Sequence, residues 1–587
     1  MLLTMMLGLL LWEARILWLQ TVGGHDGTNP SASLVEQSVR QRMVSFELDD
    51  GRARFFDRNG QSLGGEERRV LVVFPKYKRD LQTATNREKM SRTDERVRQI
   101  LQADKRDWHT FIDGLKAEAR VWQGAQAPFP QGLTVQQAEH LNALQVPGLA
   151  VANHYVRRTE QSVGQALIGT VGENARFFQR IYATSGAGLN MPLIPKLGVS
   201  GLERSMESKT RGYDGEIAPV GARSITWLEP NGELRLIDQS SRHYPLRVVT
   251  TIDRALQARV EQAMAQMAVR EGAVVVLDRR TADVLVMASR SRDGHNQALL
   301  EAKPGSIFKI AVAAAAVGTR AIGEESHFQC NGSYGKYRFV CWRRAGHGHI
   351  SAAQAFAFSC NIAFAEMAKR LSPQIIERYA QYLGLAQQVG WSSSDDARFR
   401  QLPEEQPGMI FANRTNMSDE GALIQTAIGQ RDVLVSPLQA ANMVATILNN
   451  GRLQAPRTVR EIRYKNGQVR ETFHEQVLRP ADAEFRRIAP LLRQWMRETV
   501  RSGTAKALLR SPHTLAGKTG TAQVKAGQGA SQAEAVHQWF VGYDAADERF
   551  AVAVLVKHVH PHARQLALPL AARVFDILLS APLEQAP

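Results

Sequence analysis

The second half of the chain alternates between short apolar runs and longer apolar stretches. Gly272 to Asp278 and Asp283 to Ser289 are mostly apolar runs of strand length, and the four residues 279–282 that join them predict a hairpin. The pattern then predicts a helical stretch from Ser306 to about residue 450, three further strands and a last apolar helix (516–524, 538–543, 550–558 and 566–579). This order predicts an α+β fold, an antiparallel sheet with helices on its faces.

The first half of the chain has a different pattern. Residues 44–75 predict strands on either side of a turn at 57–60, residues 76–125 are charged with helical spacing, and residues 126–245 are mixed. The sequence pattern changes near Leu246. Beyond this point, Asp253 is placed to cap a helix. A chain of 587 residues is too long for one core, so we expect a mixed α/β domain over 44–245 and a second domain over 246–582.

The N-terminus predicts a short membrane anchor. Residues 1–12 are apolar except for Thr4, Glu13 and Arg15 interrupt the run, and apolar residues resume to Leu19. This run is shorter than the roughly 20 residues that span a bilayer, and no basic residue precedes it. We interpret residues 1–20 as a signal anchor whose cytoplasmic start is missing from this sequence, and residues 21–43 as a linker. The alternative is a buried N-terminal helix.

The chain is basic, with 73 Lys and Arg against 57 Asp and Glu, a formal net charge of +16. A basic surface suits nucleic acid, an anionic membrane face or an anionic wall polymer, or the charge is spread over solvated faces. No zinc-finger spacing, RNA-binding aromatic motif or long Lys/Arg run is present, which argues against nucleic acid. The three cysteines are too few for a disulfide-built scaffold.

The first candidate for chemistry is Ser306, which follows Pro304-Gly305 and opens a very apolar helix. Residues three apart on a helix share a face, so Ser306 and Lys309 converge. A serine hydroxyl becomes a nucleophile when a base takes its proton, and a lysine can do so when burial lowers its pKa. The helix N-terminus adds N–H groups for a developing oxyanion. Another Ser-x-x-Lys, at 333–336, contains a glycine and precedes no apolar run, so we discard it.

The second candidate is Ser359-Cys360-Asn361, which lies between two apolar runs. Ser359 could relay a proton, and Asn361 could donate to a substrate carbonyl. Taken alone, this segment is better explained as a polar break between helices.

The third candidate is Lys518-Thr519-Gly520-Thr521, on a predicted strand. Lys518 offers a fixed positive charge to a carboxylate, and the Thr519 hydroxyl can donate to the same group. Gly520 leaves the strand bare, so an extended substrate can lie against it as an added strand. The Thr521 N–H would then complete an oxyanion hole with that of Ser306. The alternative is a lysine on an edge strand with a bulge glycine.

These three motifs occur in this order in class A β-lactamases and penicillin-binding proteins. Over nearly its whole length the sequence resembles the class B, monofunctional, penicillin-binding proteins. Further segments carry the resemblance: Arg15 to Gln20, Asp57 to Gly60, Gly198 to Glu203, Thr251 to Asp253, Ala427 to Gln430, Ser436 to Gln439 and His537 to Tyr543. Cys341-Trp342 with 346–349 resembles the elongation-type members more than the division-type ones.

The resemblance implies a serine β-lactamase-like transpeptidase domain over 246–582 on a pedestal domain over 44–245. It implies a peptidoglycan D,D-transpeptidase: Ser306 attacks the D-Ala-D-Ala bond of a stem peptide, forms an acyl-enzyme and passes it to an amine of a neighbouring stem. β-Lactams would acylate the same serine.

The resemblance also implies roles and partners. The catalytic residues would be Ser306, Lys309, Ser359, Asn361 and Lys518, with 519–521 binding substrate. The catalytic domain would lie outside the cytoplasm, on a single-pass anchor, beside a separate glycan polymerase. No cofactor or metal is expected for the reaction. A serine β-lactamase, a β-lactam sensor and a non-catalytic scaffold are the rival interpretations.

Cys330 and Cys341 lie in a loop that contains Gly and Tyr. Outside the cytoplasm they could form a disulfide, because disulfides persist there. They could instead bind a metal with His347 and His349, or remain two free, buried thiols.

Overall fold

The structure is a computed structural model of the chain. It describes residues 12–13, 43–83, 87–124, 128–173, 196–210, 223–228, 233–238, 243–335, 339–396, 398–413, 415–416, 418–526 and 533–580. Apart from 12–13, the predicted anchor lies outside the described residues, and so do nearly all of the predicted linker and Lys336 of the discarded motif. In the part of the chain that the structure describes, no helix has the length and apolar character needed to cross a membrane.

Small antiparallel sheets and short helices build the N-terminal part. Helices pack over the Glu66–Val73 and Leu149–Val156 strands, where the Trp108 side chain is fully buried. Its strands are Met43–Asp49, Arg54–Phe56, Glu66–Val73, Arg120–Val121, Leu149–Val156, Val171–Glu173, Lys196–Gly198, Arg223–Leu228 and Glu233–Asp238. Its helices are Pro75–Gln82, Arg87–Leu101, Lys105–Asp113, Val135–Ala143, Gln165–Ile168, Gly201–Ser205 and Glu207–Thr210.

A shared sheet joins the N-terminal part to the rest of the chain. The Arg247–Thr250 strand pairs in parallel with Arg54–Phe56 and antiparallel with Val459–Arg463. Beside it, the buried Arg52 guanidinium contacts Glu203 and Glu207, each at 2.6 Å. Because a buried charge is costly without a partner, these pairs fix the N-terminal strands against the segment that ends the first half. The boundary near residue 246 stays a prediction.

A five-stranded antiparallel sheet forms the centre of the second half, as the sequence predicts. Its order is Val284–Arg290, Gly272–Asp278, Phe550–Val559, Ala533–Asp544 and Leu515–Ala526. Every residue of Gly272–Asp278 is buried, because helices cover both faces of the sheet. The first hairpin is present, and the Asp253 carboxylate accepts from the Leu256 N–H at the start of the next helix.

Helices cover the two faces of this sheet. Arg254–Gln266, Ala567–Ser580 and the short Lys506–Arg510 segment pack on one face, and most of the other helices form the larger core with the opposite face. The other helical segments of this half are Gly305–Phe308, Lys309–Gly318, Ala352–Ala357, Asn361–Lys369, Pro373–Tyr382, Glu420–Ala427, Pro437–Leu448 and Ala483–Arg501. Short strands Leu453–Gln454, Val469–Thr472 and Val477–Arg479 lie between them.

The prediction of one helical stretch from Ser306 to residue 450 is wrong in its middle. Short strands occur at His327–Cys330, Ser333–Tyr334, Phe339–Val340 and Gly348–Ser351. Gly332, Gly335, Gly346 and Gly348 all have positive φ there, a backbone conformation that interrupts a right-handed helix.

Candidate active site

Ser306 lies in a single 3-10 turn, Gly305–Phe308, which we call the nucleophile turn. The turn leads directly into the buried helix Lys309–Gly318. Residues three apart in a 3-10 turn eclipse each other, so the Ser306 and Lys309 side chains leave the same side. Ser306 itself is only partly buried and is therefore accessible to a substrate.

The Lys309 amine connects the first motif to the second. Its Nζ donates to Asn361 Oδ1 at 2.7 Å, to the Ser359 carbonyl at 2.9 Å and to Ser359 Oγ at 3.3 Å. The side chain is fully buried, and burial lowers the pKa of Lys309 to about 7, against the opposing effect of Cys360 and Cys341. An amine with this pKa is available as a proton acceptor near neutral pH.

The Ser359-Cys360-Asn361 segment is a strained turn between two helices. Ser359 has a φ of +53°, in the left-handed region that a residue with a side chain rarely adopts. Asn361, which was expected in a loop, is the first residue of the Asn361–Lys369 helix, and its Nδ2 donates to the Val340 carbonyl. Such a conformation persists only where surrounding contacts hold it, and these often lie at functional sites.

Among the described strands of the central sheet, Leu515–Ala526 is an edge strand. We call it the motif strand. A Cβ added to Gly520 would lie 2.7 Å from the Pro304 carbonyl oxygen and 2.9 Å from Ile307 Cγ2. Gly520 therefore lets the nucleophile turn pack directly against the strand. From the sequence, Gly520 is interpreted as a site of substrate access or as a bulge glycine, and its contact with the turn could not be seen from spacing.

The side chains of Lys518 and Thr519 are less accessible to a ligand than the sequence suggested. The Lys518 side chain is fully buried, and burial followed by the charge of Lys309 lowers its pKa well below the usual value. Burial favours the neutral form of the Lys518 amine, and an approaching anion would favour its protonation. The Thr519 hydroxyl lies 2.6 Å from that of Thr504, a neighbour that no sequence motif indicated.

A second cluster of donors lies behind the Ser359–Asn361 turn. The side-chain donors of Cys330, Cys341, His347 and Cys360 all lie within 4.8 Å of one another, and the three cysteines are free and buried. His349, which the sequence offered as an alternative member of such a set, instead stacks on His327 with ring centroids 4.8 Å apart. The fourth donor is Cys360, which sequence reasoning missed because the chain separates it from the loop by a helix.

The geometry of this cluster suits a tetrahedral ion. His347 Nδ1 lies 3.5 Å from both Cys330 Sγ and Cys341 Sγ. Zn–S bonds of about 2.3 Å and Zn–N bonds of about 2.0 Å at tetrahedral angles place N and S about 3.5 Å apart. Three sulfurs and one imidazole form one of the usual structural zinc sets, so these residues could hold that ion.

Comparison with protein families gives one match that covers just over half of the chain. Residues 272–580 match the model described as the penicillin binding protein transpeptidase domain. The match spans the central sheet and all three motifs.

Individual relatives agree with this match. The peptidoglycan D,D-transpeptidase MrdA of Acinetobacter baumannii is 27% identical over 467 residues, 70% of this chain, and the chain spans 64% of that protein's length. The Haemophilus influenzae protein of the same name is 24% identical, over 94% of this chain and 87% of its own.

Solved structures share the fold. Penicillin-binding protein PBP2 of Helicobacter pylori has a TM-score of 0.63 at 18% identity, over 92% of this chain and 99% of its own. A chain of a peptidoglycan synthase complex that coordinates polymerisation and crosslinking has a TM-score of 0.63 at 21% identity, over 99% of this chain and 98% of its own.

Proposed function

The chain belongs to the penicillin-binding protein transpeptidase family, in its class B branch, and on that premise we propose that it is a peptidoglycan D,D-transpeptidase with Ser306 as nucleophile. The observation that carries the proposal is that the Lys309 amine is buried and hydrogen-bonded to both Ser359 and Asn361. Its lowered pKa supplies the base that a serine nucleophile needs.

In the proposed acylation, Ser306 Oγ attacks the carbonyl carbon of the penultimate D-Ala while neutral Lys309 takes the hydroxyl proton. The N–H groups of Ser306 and Thr521 stabilise the oxyanion. Lys518, protonated against the substrate carboxylate, and the Thr519 hydroxyl hold the terminal D-Ala. The C–N bond then breaks, and Ser359 passes the proton from Lys309 to the departing amine.

The second half-reaction reverses these roles. An amine of a neighbouring stem peptide attacks the Ser306 ester, and its proton passes to Lys309 or Ser359. The ester bond breaks, the new amide crosslinks the two stems, and Ser306 recovers its proton. Asn361, held by Lys309 and Val340, keeps the turn that carries Ser359 in place.

We propose that the catalytic domain works outside the cytoplasm, on a pedestal formed by residues 44–245 and an anchor within residues 1–20. Its substrate is a wall polymer, which lies outside the cytoplasmic membrane. A separate glycan polymerase is the proposed partner, and the fold shared with a chain of a peptidoglycan synthase complex supports this pairing.

We also propose that Cys330, Cys341, His347 and Cys360 hold one structural zinc ion. The ion would supply no chemistry to the reaction, but it would fix Cys360 and hence the turn between Ser359 and Asn361. Metal analysis of protein purified without chelator should find about one zinc per chain in the wild type and in His349→Ala, whose ring lies outside the cluster. His347→Ala should lose it. A metal-free wild type, or fewer than three thiols after denaturation in chelator without reductant, would contradict this.

Covalent labelling by a fluorescent penicillin tests the proposed function. Ser306→Ala should abolish labelling, and Ser333→Ala, in the discarded motif, should leave it unchanged. Labelling that survived the first substitution and vanished with the second would show that another serine is the nucleophile.

A further inference from the structure

The segment from Ala427 to Gln430 contacts the nucleophile turn but has no part in the reaction described above. The Gly305 N–H donates to the Gly429 carbonyl at 3.0 Å, one residue before the proposed nucleophile. Gly429 has a φ of +74°, and a Cβ there would lie 2.1 Å from the Gly305 carbonyl oxygen. The Gln430 N–H donates to the Gln425 carbonyl at the end of the Glu420–Ala427 helix, so the backbone at Gln430 is anchored.

From this anchored backbone, the Gln430 side chain reaches the motif strand. Its Nε2 donates to the Thr521 carbonyl at 2.9 Å, and its Oε1 accepts from the Gln523 N–H at 3.1 Å. The two partners fix the orientation of the amide, because a carbonyl oxygen only accepts and a backbone N–H only donates.

These two partners lie on the outer edge of the motif strand. The strand pairs on its other side with Ala533–Asp544, where Thr521 lies opposite Gln538. In an antiparallel added strand, the residue opposite Thr521 exchanges both of its backbone bonds with Thr521, so its N–H donates to the Thr521 carbonyl, and the Gln523 N–H donates to the carbonyl two residues earlier in that strand. The Gln430 amide therefore occupies, from a side chain, a carbonyl and an N–H that two residues of such a substrate would use along this edge.

We propose that Gln430 is a latch that occupies the substrate's hydrogen-bonding position on the motif strand and must be displaced when a donor peptide binds. This inference rests on the proposed function. It predicts that ligands with an amide N–H next to the reacting carbonyl compete directly with Gln430 for the Thr521 carbonyl. Ligands without that N–H do not.

The structure allows this displacement at little cost. Only the side chain needs to turn away, since the backbone is held by the helix end and by Gly305, and partly exposed side chains change rotamer in picoseconds to nanoseconds. In the absence of substrate, the latch keeps two edge groups paired, which protects an edge strand from pairing with another chain.

Acylation kinetics of Gln430→Ala with two β-lactams test the latch. A 6-acylamino penicillin carries the amide N–H, whereas its N-methylated analogue has no hydrogen on that nitrogen. The second-order acylation constant for the acylamino probe should rise about two- to tenfold, the effect of one net hydrogen bond. The constant for the N-methylated probe should stay within error of the wild type. Gln425→Ala, at an exposed position of the same helix, is the matched control and should change neither.

Gln430→Asn provides a second variant if the alanine variant is poorly folded, because its shorter amide cannot bridge both groups. Equal slowing of both probes, or no change in the acylamino constant, would overturn the latch and leave Gln430 as a support for the strand. A wild type that neither probe labels at Ser306 would instead refute the proposed function itself, so the two failures are distinguishable.

Discussion

Replacing Lys309 with Met should abolish acylation and at the same time stabilise the fold. The amine is fully buried, and burial lowers its pKa from 10.5 to about 7. At about 1.4 kcal/mol per pKa unit, this difference costs the folded state about 5 kcal/mol once the pH is below 7. Met has a similar length and no charge to bury.

The substitution also removes donors from three oxygen atoms. The Ser359 carbonyl, Ser359 Oγ and Asn361 Oδ1 would each lose a hydrogen bond worth about 1 kcal/mol. The expected net gain in the free energy of unfolding is therefore about 1–2 kcal/mol at pH 7.

The pH dependence of this gain distinguishes it from ordinary repacking. A lysine whose pKa is lower in the folded state than in the unfolded state costs nothing above pH 10.5, and its cost grows as the pH falls to about 7. Below pH 7 the cost is constant. The advantage of Lys309→Met should therefore increase by about 2 kcal/mol between pH 9 and pH 7.

Urea unfolding of the wild type and Lys309→Met at pH 7, 8 and 9 measures the difference, with penicillin labelling of the same samples. Lys506→Met removes an exposed lysine and should show no such trend. A stability difference that stayed flat between pH 9 and pH 7 would refute the lowered pKa. Labelling that persisted in Lys309→Met would refute its role as the base.

Three further outcomes are expected. The acylation rate of the wild type should rise as the pH increases through about 7, because the neutral Lys309 amine is the base, and a rate that is flat from pH 6 to pH 8 would contradict this. The penicilloyl ester should last many minutes in a chase with unlabelled antibiotic, because Glu366, a candidate water-activating acid, interacts with the Tyr334 side chain. Turnover at many cycles per second would make the chain a β-lactamase. Gly520→Ala should cut acylation at least about tenfold with an intact thermal transition, since its Cβ would press on the nucleophile turn; wild-type acylation would contradict the contact.

The elements that the sequence predicted well are those decided by local pattern. Gly272–Asp278 is apolar from Ala273 to Leu277 and is bounded by turn residues, and the structure gives a strand with those bounds. Asp253 precedes a helical pattern and caps it through the Leu256 N–H. Both signals depend on a few adjacent residues, so no knowledge of distant neighbours is needed.

The features that the sequence could not predict depend on contacts between distant segments. Cys360 joins Cys330 and Cys341 only because the chain folds back after the short strands of residues 327–351. Thr504 reaches Thr519 across the end of the Ala483–Arg501 helix. Spacing along a chain carries no signal for such pairs. The same limit explains the error in the helical stretch, where several glycines of positive φ turn the chain into short strands.

The unfavourable features of the site are concentrated around the Ser359–Asn361 turn. The contacts of this turn explain how the buried Lys309 amine is held in place. Ser359 and Asn361 direct their polar atoms at Lys309, while Cys360 between them contributes to the four-donor cluster. Ser359 accepts a left-handed backbone, and Lys309 and Lys518 are buried near each other. Each of these features is unfavourable alone, and each is fixed by contacts from another segment. Substitutions that relax them should therefore stabilise the fold and reduce reactivity together.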